Sequence, residues 1–168
     1  MLRTASFAAV AALFALPALA CDGFAVQDPY GISSNMMAQS GAAFMTFQNT
    51  GSADCRVVGV RSDIAQRTEL HTHIANAEGV MRMVQIEGGI PVAAGSAHEL
   101  ARGADHVMFL GLTRPMAQDE VIQVTLEFED GSEFAFEVQV DLNRMMGAGQ
   151  MQGQMQGQMQ GHGHGQNN

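Results

Sequence analysis

Apolar and polar residues alternate along much of this chain, in short runs separated by turn residues. "AAFMTFQN", "CRVVGVRS", "HELARGADHVMFLGL", "DEVIQVTLEFED" and "EFAFEVQVDL" follow one another between residues 42 and 142. A period of two places alternate side chains on opposite faces of a strand, so the first run and the last two are predicted to be extended with one face buried. "CRVVGVRS" is predicted to be a strand because it is β-branched. Asn49-Thr50-Gly51 closes the first run, and Asp130-Gly131 between the last two is a hairpin signal. Beyond the first twenty residues, no segment keeps a 3.6-residue apolar period for three turns. The pattern predicts an all-β sandwich or barrel over residues 23 to 142, long enough to bury a core of its own.

The two ends depart from this pattern. "MLRTASFAAVAALFALPALAC" has one charge at Arg3, an apolar run and the small-residue ending Ala18-Leu19-Ala20. That is the form of a secretory signal, so residues 1–20 are expected to be removed and the mature chain to begin at Cys21. The run is short for a retained membrane anchor. Acylation of Cys21 is a second reading, although Leu19 stands one residue out of place for a lipoprotein signal. At the other end, residues 143–168 carry a MQGQ repeat followed by Gly-His-Gly-His. Such a segment lacks the apolar bulk to offset its ordering entropy and is expected to be disordered.

Charge then narrows the partners. The chain has 8 Lys+Arg, all of them Arg, against 17 Asp+Glu, for a net charge of −9. Without residues 1–20 the basic count falls to 7 and the net charge to −10. So acidic a protein repels phosphate backbones, which excludes nucleic acid as a natural partner and favours cations. The two cysteines, Cys21 and Cys55, lack CxxC spacing. In an exported chain they are expected to form a disulfide in preference to a thiolate metal site.

The candidate chemistry lies in "ELHTHIANAEGVMRM" and "DHVMFLGL". His71 with His73, Met81 with Met83, and His106 with Met108 are each two apart, so each pair shares a strand face. "IANAEG" has the form of a hairpin connection, which brings the first two pairs onto neighbouring strands. Thioether sulfur is neutral and soft, and two imidazoles with two thioethers suit Cu(I) better than Zn, Mg or Ca. No Cys lies near "HVM" to make a blue-copper centre, and no general base stands beside an open metal position. The donors therefore point to carriage of a metal, not to an enzyme. Each residue also has a plainer reading. Strand methionines commonly fill cores, which is the expectation for Met45 and for one of Met81 or Met83. A lone strand histidine is usually a surface residue, the expectation for His98. Three same-face pairs in one exported acidic chain favour the metal.

These residues resemble the periplasmic copper chaperones of the PCuAC family. That family's pattern is His, an optional Met, ten residues, Met, about twenty-one residues, then His-x-Met. Here His71 opens it, Thr72 stands at the optional Met, Met83 follows, and His106 and Met108 supply His-x-Met. Twenty-two residues separate Met83 from His106, one more than usual, and "EGGIPVAAG" is the expected place of the extra residue. "AAFMTFQNTGSAD", "VMRM" and "HVMFLGL" are also similar to family segments. The resemblance implies a cupredoxin-like Greek-key β-sandwich binding Cu(I) through His71, Met83, His106 and Met108. It further implies a periplasmic protein delivering copper to cytochrome c oxidase, at the CuA site of subunit II or with a Sco-type thioredoxin-fold partner. A monomer is expected.

His73 is left open as an alternative ligand or as a group behind the ligands. The tail is expected to form an auxiliary copper site through Met151, Met155, Met159, His162 and His164, with Cu(II) held by its imidazoles. Two other functions fit the same residues: copper storage or resistance, with the tail as buffer, and a copper oxidoreductase.

Overall fold

A computed structural model describes residues 21–144 of the protein. Its regular elements are strands β1 (Phe24–Ser33), β2 (Ser40–Asn49), β3 (Cys55–Ser62), β4 (Ala65–Ala75), β5 (Met81–Gln85), β6 (Ile90–Val92), β7 (Ala97–Leu100), β8 (His106–Leu112), β9 (Val121–Phe128) and β10 (Glu133–Val140). The alternating runs become β2, β9 and β10, and the β-branched run becomes β3. The long run from His98 breaks into β7 and β8 at Arg102-Gly103, where Gly103 takes a φ of +80°. Asp130-Gly131 makes the β9–β10 turn, and Gly131 adopts the left-handed φ of +81° that such a turn requires. The expected signal sequence and the segment 145–168 lie outside the described residues.

Hydrogen bonds connect the strands in the order β5-β4-β8-β2-β1-β10-β9-β3-β6, with β7 on the far half of β2. Nearly every pairing is antiparallel; β1 and β10 run parallel, through Tyr30 with Gln139 and Gly31 with Val140. Because five of the eight neighbouring pairs in this order join strands that are not consecutive in sequence, the path is a Greek key, not a meander. It folds over so that the inner faces of both halves share one core, including Phe47, Phe109, Val107, Leu126, Val138 and Ile122. The architecture is the all-β sandwich that the alternation predicts.

The segment Asn49-Thr50-Gly51 has a structural cause. Asn49 is fully buried. Its Nδ2 donates to the carbonyls of Ala53 (2.8 Å) and Val92 (3.0 Å), and its Oδ1 accepts from the Gly51 amide (2.9 Å). One side chain thus closes the turn after β2 and ties it to β6. Asn49→Ala removes all three of these hydrogen bonds from a buried site, and we expect a loss of about 2–4 kcal/mol, read from a denaturation midpoint. A midpoint equal to wild type contradicts this role. Close by, Cys21 and Cys55 form a disulfide with Cα atoms 5.4 Å apart.

Candidate metal centre

Strand β4 lies between β5 and β8, and its register decides which side chains meet. His71 faces His106 and Glu69 faces Met108 across the β4–β8 pair. His73 faces Met83 and His71 faces Gln85 across the β4–β5 pair. Residues directly opposite in an antiparallel pair project to the same side, as do residues two apart in a strand. Glu69, His71, His73, Met83, His106 and Met108 therefore share one face of three adjacent strands. The opposite face of β8 is the core, where Val107 and Phe109 are fully buried. A shift of one residue in any of these strands would send its donors inward.

A cavity of about 320 Å³ opens on this face. His73, Met83, His106 and Met108 line it, with Phe44 in its wall and Arg102 at its edge. His71 stands beside the cavity and does not line it. The rings of His71 and His106 have centroids 6.0 Å apart, and those of His73 and His106 5.2 Å. Each ring is oriented by an oxygen that can only accept. The Ala104 carbonyl takes the Nδ1–H of His106 at 2.9 Å and that of His73 at 3.3 Å. This leaves the Nε2 lone pair of both rings free for a metal. The His71 Nε2–H donates to the Glu69 carboxylate at 2.8 Å, and its Nδ1 is buried with no hydrogen-bond partner.

Burial pushes the His106 pKa below the usual histidine range, and the neighbouring His73 and His71 add to this against the opposing Ala104 carbonyl and Asp105. A neutral His106 at physiological pH is the ligating form. Among the described residues no group of three or more His, Cys, Asp or Glu side chains is placed to hold a metal ion. Any tetradentate site on this face must therefore use the methionine sulfurs, and that donor set is soft.

The structure brings Met83, His106 and Met108 to one cavity and sets His71 one rung along the same face. His73, which the sequence left open, lies in the cavity. One expectation is overturned: neither Met81 nor Met83 is core filler, since they are 56% and 45% exposed. They sit on β5, an edge strand that pairs only with β4 and is exposed along most of its length. Met45 is buried as expected, and Met116 is a further core methionine. His98 is partly exposed and its Nε2 lies 2.9 Å from Asp105, next to His106. Met151, Met155, Met159, His162 and His164 lie outside the described residues. Sequence reading passed over Glu69 and the Ala104 carbonyl, which orient the rings. Both stand two residues before a proposed ligand, and that spacing was the available signal.

Strand order, register and donor face together define a cupredoxin-like sandwich of the PCuAC type. The copper-bound PCuAC domain from PmoF2 aligns with a TM-score of 0.59 at 18% identity, over 71% of this chain and 93% of that one. Apo-DR1885 from Deinococcus radiodurans aligns with a TM-score of 0.56 at 25% identity, over 83% and 92%. The CuI form of DR1885 aligns at 0.54 and 27% identity, over 74% and 84%. By sequence the chain belongs to the LpqE-like family, described as "Putative lipoprotein LpqE-like", which it matches over residues 24–140. A curated relative in Leifsonia xyli subsp. xyli, named "Putative lipoprotein Lxx21020", is 40% identical over 91 residues, 54% of this chain. The chain spans about half the length of that relative. Among the described residues no helix is long and apolar enough to cross a membrane.

Proposed function

We propose that this protein is a periplasmic copper chaperone that binds one Cu(I) on the β4–β5–β8 face through His71, Met83, His106 and Met108. The observation that carries the reading is the convergence of Met83, His106 and Met108 on one cavity, with the free nitrogen of His106 held neutral by burial. Neutral nitrogen and sulfur donors hold a monovalent soft ion without adding charge, and they release it to an acceptor of similar softness. The likeness to CuI-DR1885 supports the same ion. Lipoprotein names in the family are consistent with export. The acceptor in this reading is cytochrome c oxidase, at the CuA site of subunit II or through a Sco-type thioredoxin-fold protein. The chain acts as a monomer and as a carrier, not an enzyme. The tail methionines and histidines form an auxiliary site, with Cu(II) at His162 and His164.

The test is a copper titration of the mature chain beside a chain ending at Arg144, with X-ray absorption on the Cu(I) forms. Arg144 is kept because its guanidinium bonds Asp28 at 2.8 Å through two nitrogens and stacks over Tyr30. The expected result is one Cu(I) in both chains with two nitrogen and two sulfur neighbours, and further copper bound only when the tail is present. A Cu(I) site without sulfur refutes the assignment. More than two coppers per chain favours storage.

A further inference from the structure

The face carries one more imidazole than a two-histidine, two-methionine site needs. His71 and His73 are successive same-face residues of β4, about 7 Å apart along the strand. Both have His106 as their ring neighbour. Two imidazoles that share one ion at nitrogen–metal distances of about 2.0 Å have centroids roughly 5–6 Å apart. The separations of 5.2 Å for His73 and 6.0 Å for His71 from His106 both fall in that range. Yet the three rings do not converge as a group able to hold a metal. Each pair has the ring separation of a shared ion; the three rings together form no metal-holding group among the described residues.

The two alternatives differ in access. His73 lines the open cavity beside Met83, and the Ala104 carbonyl holds its ring with that of His106. The side chain of His71 is only 13% exposed. Its Nε2–H is committed to Glu69, and its Nδ1 is a buried acceptor without a partner. Leaving such an acceptor unpaired is unfavourable, and a bound cation relieves that cost.

We propose that His73 is an exchange ligand: it takes Cu(I) at the cavity mouth together with His106 and passes it to His71. No redox change is involved. One nitrogen–copper bond forms at His71 as the bond to His73 breaks, while His106 stays bound, and unloading runs the same steps in reverse. The inference rests on the copper reading above.

The experiment uses the full mature chain and its His73→Gln, His73→Asn and His71→Gln variants, with circular dichroism to confirm folding. Cu(I) affinity is read by competition with bicinchoninate, and the rate of copper loss by stopped flow against bathocuproine disulfonate. His71→Gln is expected to lose affinity by about a hundredfold, some 2.8 kcal/mol. Both His73 variants should stay within about tenfold of wild-type affinity. They should slow copper transfer by about tenfold or more, the equivalent of 1.4 kcal/mol in the barrier. X-ray absorption should count two nitrogens in His73→Gln as in wild type. Wild-type transfer rates in both His73 variants overturn the proposal, and so does a loss of affinity as large as that of His71→Gln. Failure of the wild-type chain to bind Cu(I) overturns the copper reading itself.

Discussion

Replacing Met83 and Met108 together with isoleucine will leave the sandwich folded and lower Cu(I) affinity by roughly a thousandfold, about 4 kcal/mol. Neither side chain belongs to the core: Met83 is 45% exposed and Met108 is partly buried on the outer face of β8. Isoleucine is β-branched, close in volume and well suited to a pleated strand, so packing and register should survive. Only the two sulfurs are lost. With His106 and one further imidazole, the remaining donors resemble those of many surface histidine pairs and have no particular preference for a monovalent ion. Competition with a Cu(I) chelator measures the change, and an unchanged thermal midpoint shows that the fold is intact. Affinity within tenfold of wild type would mean that the cavity methionines are not ligands, and the proposed function would fall.

A second large effect is expected at the disulfide. Cys21 and Cys55 are 34 residues apart, and a loop of that length restricts the unfolded chain by about 4 kcal/mol at 25 °C. Cys55→Ser should therefore lower the thermal midpoint of the mature chain by about 15 °C. Reduction of the wild-type protein should give a similar fall. The family's lipoprotein names set up the opposing outcome. A lipid on the Cys21 sulfur and a bond from that sulfur to Cys55 exclude each other. Intact mass of the exported protein distinguishes the two. A lipid-sized increment on Cys21, with no stability change in Cys55→Ser, removes the disulfide from the account.

The strands that alternate cleanly were legible because one face of each is buried. "AAFMTFQN" lies wholly within β2, and "EFAFEVQVDL" holds all of β10. Strand β1 was not legible. Pro29 sits in its middle, where the register with β2 shifts between Gln27 and Tyr30 and Asp28 adopts a φ of +46°. A proline cannot donate to the ladder and is accommodated at such an irregularity, so the apolar period breaks there. β6 is three residues long, too short to show a period, although Ile90 and Val92 are almost fully buried. At the site, spacing gave the shared face, since period-two pairing follows from the backbone alone. It could not rank His71 against His73, because both satisfy the same period. What separates them is the Glu69 carboxylate on one ring and the Ala104 carbonyl on the other, contacts that depend on how three strands and a turn come together.

The donor face also joins two unequal supports. Strand β8 is hydrogen-bonded on both sides, by β4 and β2, and its inner residues are sealed in the core. Strand β5 hangs on β4 alone and buries almost nothing. Amide protection should follow the same division, with β5 opening at a small fraction of the global unfolding free energy. In the proposed copper site, His106 and Met108 form the rigid jaw and Met83 the compliant one. On the proposed reading, an ion that loses the sulfur of Met83 frees a strand that was barely held, so a change of coordination number disturbs little else in the molecule.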